Sequence, residues 1–87
     1  MALAKLGRHE EACEAYEQAL YLEPTYINTH YNKGLALVEL GRYEEAIRAF
    51  DEVLRLNPDD VDAYRQKGQA LLALYPYIPP QQTDKAG

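Results

Sequence analysis

The stretch LGRYEEAIRAF, residues 40–50, follows a near copy of itself, LGRHEEACEAY, residues 6–16, at a distance of about 34 residues. The correspondence continues as far as Pro24 and Pro58, which close the two copies. A third copy begins but is not completed, since KGLALVEL at residues 33–40 returns as KGQALLAL at residues 67–74. Self-similarity at a fixed spacing of this size is typical of repeat architectures, so the sequence predicts one supersecondary unit repeated along the chain.

Each unit predicts two helices joined by a tight turn. In residues 42–56 the apolar positions recur every three or four residues, which is typical of an amphipathic helix. Gly41 follows the preceding apolar run, where a left-handed residue ends a helix without a steric penalty, and Gly7 has the same place in the first copy. We therefore expect a turn at both glycines. On the polar face we expect ion pairs between residues four apart, Glu44 with Arg48 and Asp51 with Arg55.

The joins between units contain proline and short polar residues. Asn57 followed by Pro58 predicts a capping side chain ahead of a proline at the first helical position. The acids that follow lie where the helix dipole favours negative charge; they are Asp59, Asp60 and Asp62. The join at Pro24 has weaker capping residues. We expect a helix to begin after each join, with the firmer start at Asn57.

Small residues recur on the apolar faces of consecutive helices. Gly34 and Ala46 return as Gly68 and Ala12 in the neighbouring copies. A large side chain at these positions would hold the two helix backbones apart. The sequence therefore predicts close helix contacts there, with the bulky Phe50 filling the space alongside.

These features resemble the tetratricopeptide repeat, a helix-turn-helix unit of about 34 residues with small residues at its helix contact, an aromatic in its second helix and a closing proline. The residues that carry the motif in order are Gly34, Leu37, Leu40, Gly41, Tyr43, Ala46, Phe50, Leu54 and Pro58. Where the family often begins its first helix with Trp, this chain has His30 and Tyr64. The resemblance implies an all-α fold of antiparallel helix-turn-helix repeats, stacked as a short right-handed α-solenoid.

The resemblance also divides the chain, into about two and a half repeats. It implies a partial repeat over residues 1–24, made of the end of a first helix and a second helix, and a complete repeat over residues 25–58. Residues 59–75 would form the first helix of a third repeat. Residues 76–87 are a proline-rich tail that we expect to be flexible, because proline excludes a regular helix. We interpret the chain as a segment or a short form of a longer array.

In this family the first helices of successive repeats line a concave groove that holds extended or helical peptides. Helical spacing carries the groove over to Asn28, Tyr31, Asn32, Leu35, Val38, Glu39, Arg65, Gln66 and Gln69, with Asp62 and Leu72 beside them and Met1, Ala4 and Lys5 from the first helix. Asn32 can bond a peptide backbone and Arg65 can meet a carboxylate, while Tyr31 with Leu35 offers an apolar shelf. The alternative for each residue is a solvated groove position that binds nothing.

Some members of the family grip a C-terminal carboxylate with lysines, asparagines and an arginine. Here only Asn32 falls where that pattern has a residue, and Asp62 and Gln66 occupy places of basic groups, so no carboxylate clamp is expected. The resemblance implies a scaffold for protein–protein interaction whose partner is a protein or peptide.

The unfinished third repeat predicts an exposed apolar surface. The helix over residues 61–74 turns Tyr64, Leu71 and Leu74 toward a neighbour that the sequence does not supply, and exposing such a surface is unfavourable. Three alternatives could cover this surface: tail residues such as Tyr77 and Ile78, a second copy of the chain, or the rest of a parent protein. We favour the second copy, which makes a self-assembling homo-oligomer the alternative function.

Composition excludes several other classes of partner. The net charge is -5 and the basic residues are scattered among acids, which predicts no nucleic-acid partner. No apolar run approaches the roughly 18 residues of a membrane span, so we expect no membrane association. Cys13 is the only cysteine and lies within an apolar helical pattern. We expect it to be a buried hydrophobe in a cytoplasmic protein.

The sequence offers no constellation for chemistry. His9 and His30 lie on different predicted helices without a further ligand at metal-binding spacing. Glu10 and Glu11 fall in the first turn of a predicted helix, where the dipole accounts for them. Serine is absent and no glycine loop for phosphate is present. We therefore expect no metal, no cofactor and no enzymatic activity.

Overall fold

The computed structural model describes the backbone of residues 2–76 and the side chains from residue 7 to residue 76. It contains the four helices α1, Ala2–Leu22, α2, Ile27–Glu39, α3, Tyr43–Leu56, and α4, Val61–Leu74. Each helix packs on the next, and α2 also contacts α4. This arrangement confirms the predicted all-α stack. The predicted tail from residue 77 onward lies outside the described residues, as does Met1.

None of these four helices combines the length and the apolar composition that crossing a bilayer requires, as far as residues 2–76 show.

The core lies between α2 and α3. Phe50, Val53 and Ala46 of α3 are fully buried, and Leu37 of α2 is 2% exposed. The ring of Tyr31 meets Phe50 edge to face, with centroids 5.7 Å apart. Burying a side chain such as phenylalanine contributes about 1.5–3 kcal/mol. The α2–α3 hairpin is therefore the best-packed unit of the described chain.

Gly34 permits the close approach of α2 and α3. A Cβ atom at this position would lie 2.6 Å from Cε1 of Phe50, closer than any real side-chain contact. The prediction that a small residue is required at this contact is confirmed. The matching glycine of the next copy, Gly68, has no atom within 4 Å of such a Cβ. The difference arises because no helix in the described part of the chain packs on that side of α4.

The turn predicted at Gly41 is confirmed. Gly41 has a φ of 77° and follows Leu40 at the end of α2. Its N–H donates to the carbonyl of Val38, and the N–H of Arg42 donates to that of Leu37, both at 2.9 Å. This pair of bonds is the Schellman arrangement, which occupies carbonyls that the helix end leaves free.

The turn predicted at Gly7 is wrong, because α1 is a single helix from Ala2 to Leu22. The local sequence is the same at both glycines, so the neighbouring residues alone do not decide between a turn and a continuous helix. Continuing α1 through Gly7 costs only about 1 kcal/mol relative to alanine. The division of the chain into repeats stays a prediction.

The cap predicted at Asn57 is wrong by three residues. Asn57 ends α3, and its N–H donates to the carbonyl of Val53. Asp60 caps α4 instead, with its carboxylate accepting from the N–H of Ala63 at 3.0 Å. The N–H of Asp60 donates to the carbonyl of Asn57, so Pro58 lies in a turn, a position that proline favours, and not in the helix. The weaker cap expected after Pro24 is confirmed, since α2 begins without a side-chain cap.

The ion pairs of the described side chains differ from the two that were predicted. Arg55 pairs with Glu52, three residues away, and Asp51 pairs with Lys67 of α4 at 2.7 Å. Neither Glu44 nor Arg48 forms an ion pair among the described residues, whereas Arg42 pairs with Glu45. Hydrogen bonds from Arg42 and Arg55 hold the pKa of Glu45 and that of Glu52 below the usual range. The polar face therefore links α3 to α4, which spacing along one helix does not reveal.

Candidate functional site

A groove of about 450 Å³ opens between α1, α2 and α4, and we call it the main groove. Its apolar wall consists of Ala12 and Tyr16 of α1 and Leu35, Ala36 and Val38 of α2. Its polar wall consists of His9, Asn32, Glu39, Gln66 and Gln69. Six of the nine residues predicted for the groove line it: Asn32, Leu35, Val38, Glu39, Gln66 and Gln69. The repeat spacing therefore indicates the residues that α2 and α4 turn toward one another.

Two of the other predicted residues line a smaller space of about 170 Å³, which we call the side hollow. Asn28 and Tyr31 lie there with Ile27, at the beginning of α2. Asp60 and Asp62, at the beginning of α4, complete the lining. Because Asn28, Asn32 and Leu35 recur at helical spacing, the side hollow and the main groove share one face of α2.

Arg65 is the predicted residue that lies in neither space. Its guanidinium is paired with the carboxylate of Asp62, three residues earlier on α4. The predicted contact of Arg65 with a carboxylate of a partner stays a prediction. A partner would first have to displace Asp62.

The sequence interpretation missed the contribution of α1 to the main groove. It assigned this side to Met1, Ala4 and Lys5, whose side chains lie outside the described part. The structure places Ala12 and Tyr16 there, together with His9. These three residues follow one another at intervals of three and four, so the helical period of α1 was the available signal. The direction of α1 after Gly7 was the missing information.

His9 differs from the other polar residues of the main groove. Its Nε2 atom is buried and has no hydrogen-bond partner among the described atoms. An unsatisfied buried polar atom costs about 1–3 kcal/mol. A molecule in the main groove would relieve this cost only if the His9 ring turned so that Nε2 reached the groove. His30 is already engaged, since its Nε2 lies 2.8 Å from the carbonyl oxygen of Pro24.

The charges of the two concave spaces have one sign. Glu39 in the main groove and Asp60 and Asp62 in the side hollow are acidic, and the described side chains of the two linings include no lysine or arginine. Lys33 and Arg48 line a different space of about 200 Å³, beside three glutamates that balance them. The described part of the concave face is therefore acidic at Glu39 and Asp60, while Arg65 offsets the charge of Asp62, and apolar and amide groups lie between them.

The residues predicted for self-association lie at the other side of α4. Tyr64 is 56% exposed and Leu71 is 38% exposed, while Leu74 is half-buried. Leu71 and Leu74 line a shallow depression with Ile47 and Tyr75 and with the charged residues Glu44 and Arg48. We call Tyr64, Leu71, Leu74 and Tyr75 the open face. The predicted exposure of an apolar surface at this end of the stack is present.

Side chains that could bind a metal ion do not form a cluster in the part of the chain that the structure describes. Among residues 7–76, no three of the histidine, cysteine, aspartate and glutamate side chains are grouped to hold a metal ion. Cys13 is buried, as predicted, and its burial raises the pKa of the thiol. A thiol that is buried and protonated is a poor nucleophile.

Comparison with known proteins gives one family. The profile described as TPR repeat matches residues 2–41 and, with a small overlap, residues 34–74. The two matches cover nearly all of the helical chain. No curated protein gives a significant match.

Proposed function

Because the chain belongs to the tetratricopeptide repeat family, we propose that it is a binding module that holds a peptide segment of a partner protein in its main groove. Repeats of this family generally mediate protein–protein interaction and typically form scaffolds without catalytic activity. The binding of a peptide, and its placement in the main groove, are the steps that we add. A cytoplasmic location stays a prediction from the sequence.

The lining of the main groove is the observation that carries this proposal. The exposed side chains of Asn32 and Gln69 stand beside Leu35 and Val38, which are packed against the core. A primary amide both donates and accepts, so it can pair with the N–H and the carbonyl of a peptide backbone. Binding sites commonly combine an apolar floor with a few such polar groups.

The test is a selection from a displayed library of random eight-residue peptides, followed by affinity measurements on the enriched peptides. Asn32→Ala combined with Gln69→Ala removes two exposed amides without touching the core. The loss of two hydrogen bonds at about 1 kcal/mol each predicts binding about 30-fold weaker.

The matched control combines Gln18→Ala with Asn57→Ala, two exposed amides that line neither the main groove nor the side hollow. This variant should bind within about twofold of the unchanged chain, because its missing amides are remote from the peptide. Equal binding by both double variants would remove the main groove as the site.

A second candidate function is self-assembly, in which the open face pairs with another copy of the chain. The exposure of Tyr64 and Leu71 supports it, and so does the open space around Gly68. Tyr21 and Leu22 at the end of α1 are also exposed, so a second apolar surface lies at the opposite end of the chain. The mass of the chain in solution separates this candidate from a monomeric peptide-binding module.

A further inference from the structure

We propose that the segment bound in the main groove is basic: an extended peptide with a lysine or arginine side chain directed at Glu39 and a backbone group bonded to His9. This inference rests on the proposed function and specifies the partner's chemistry. It follows from the charge of the concave face, from the end of α2 and from the unsatisfied atom of His9.

Charge complementarity gives the first argument. Glu39 is exposed and forms no ion pair with any described side chain. The amides around it are neutral, and no lysine or arginine is among the described side chains that line the main groove or the side hollow. A cationic side chain would find a free carboxylate there. An anionic side chain would be repelled by this carboxylate, and Arg65 of α4 is already paired with Asp62.

The position of Glu39 in its helix gives the second argument. Glu39 is the last residue of α2, and the last turn of this helix contains no basic residue. The C-terminal end of a helix carries a partial negative charge that favours a nearby cation. The carboxylate and the helix end therefore act in the same direction. A cation supplied by a partner would take the place that a lysine or arginine of the chain itself often fills.

His9 gives the third argument and fixes the peptide's other contact. Its Nε2 atom is buried without a partner among the described atoms, and the residue lines the main groove. A bound peptide reaches this nitrogen only when the imidazole ring turns toward the main groove; the N–H or the carbonyl of the peptide backbone then satisfies the nitrogen in either tautomer. Asn32 and Gln66 offer further backbone contacts in the same lining. The groove thus pairs backbone recognition with one charge-selective position.

The experiment uses the random eight-residue library, with Glu39→Gln compared with the unchanged chain. The unchanged chain should enrich peptides that contain lysine or arginine. Glu39→Gln should bind those peptides about threefold more weakly and lose the preference for a basic residue. Their affinity should fall between 50 and 200 mM salt in the unchanged chain and much less in Glu39→Gln, because salt screens an exposed pair.

The control is Glu14→Gln, which removes an exposed carboxylate of α1 that lines neither concave space. It should keep the preference for basic residues. His9→Leu should weaken the binding of the enriched peptides without changing that preference, because it removes the hydrogen bond and leaves Glu39 in place.

The outcomes separate the two proposals. Enrichment of basic peptides that depends on Glu39 supports the inference. Enrichment of acidic or uncharged peptides, or a basic preference that survives Glu39→Gln, overturns the inference and leaves the peptide groove standing. An absence of enrichment above that of the Asn32→Ala, Gln69→Ala variant overturns both.

Discussion

At the scale of single residues, the contact between Gly34 and Phe50 sets the spacing of the central hairpin. Phe50 is fully buried, and its ring occupies the place where a Cβ of residue 34 would project. The repeat pattern predicted a small residue here because the position recurs one period later as Gly68. The pattern could not show that a Cβ atom would clash at Gly34 and not at Gly68, because that depends on which helix packs against each glycine.

Gly34→Ala is therefore expected to destabilise the chain. The added methyl group would lie within 3 Å of the Phe50 ring, and overpacking of this kind costs about 1–3 kcal/mol. Alanine also raises helix propensity by about 1 kcal/mol over glycine, which offsets part of the loss. We expect a net loss of up to about 2 kcal/mol in the free energy of unfolding, measured by urea denaturation.

Gly68→Ala is the matched control for this contact. It makes the same change inside helix α4, where nothing lies within 4 Å of the new methyl group. The gain in helix propensity then acts alone and should stabilise the chain by about 0.5–1 kcal/mol. Equal effects of the two substitutions would show that Phe50 moves aside freely and that Gly34 does not set the spacing.

At the scale of elements, the sequence predicted which segments are helical more accurately than it predicted where each helix begins and ends. The apolar period of residues 42–56 predicted α3 almost to its bounds, Tyr43–Leu56, because burial of one face determines a helix. The ends are decided by a few hydrogen bonds. Gly7 and Gly41 have the same neighbours, yet only Gly41 has a positive φ and ends a helix, so the local sequence alone does not determine a helix end.

The cap of α4 gives the prediction at this scale. Asp60→Ala removes the carboxylate that accepts from the N–H of Ala63 and leaves that donor unpaired. The loss should be about 1 kcal/mol, and the acidic residue's favourable interaction with the helix dipole is lost with it. Asn57→Ala changes the residue that the sequence indicated as the cap, and it should cost less than about 0.5 kcal/mol.

Thermal and urea unfolding of the two variants measure this difference. The ranking of Asp60→Ala and Asn57→Ala matters more than either value, because both remove a short polar side chain from the same join. A larger loss for Asn57→Ala would place the start of α4 at Pro58 and contradict the cap at Asp60.

At the scale of the whole molecule, the candidate site was predictable where it depends on helices that follow the repeat, and not elsewhere. Asn32, Leu35 and Gln69 share the main groove because the repeat places α4 beside α2 as a translated copy. His9 was missed because its place depends on α1 continuing through Gly7. The charge of the groove could not be predicted from the sequence either. The pairing of Arg65 with Asp62 depends on the side-chain rotamers of both residues, which the repeat spacing does not determine.

The oligomeric state of the molecule depends on whether a second copy covers the open face. If it pairs with a second copy, the chain should sediment as a dimer or larger at micromolar concentration. Leu71→Glu should then reduce the mass to that of one chain, because burying a carboxylate in the contact removes its hydration, a cost that pairing with Arg48 in the same depression would offset only in part. Leu71 is only partly exposed in the single chain, at 38%, so circular dichroism must first show that the variant is folded.

Leu72→Glu is the control, because it places the same charge one residue further along α4, rotated by about 100° around the helix axis. Leu72 is 57% exposed and does not line the depression of the open face. Its substitution should leave the mass unchanged. If both variants reduce the mass, the contact lies elsewhere on α4. If the unchanged chain already sediments as one chain, a second copy does not cover the open face, and the tail or a further protein must provide the cover.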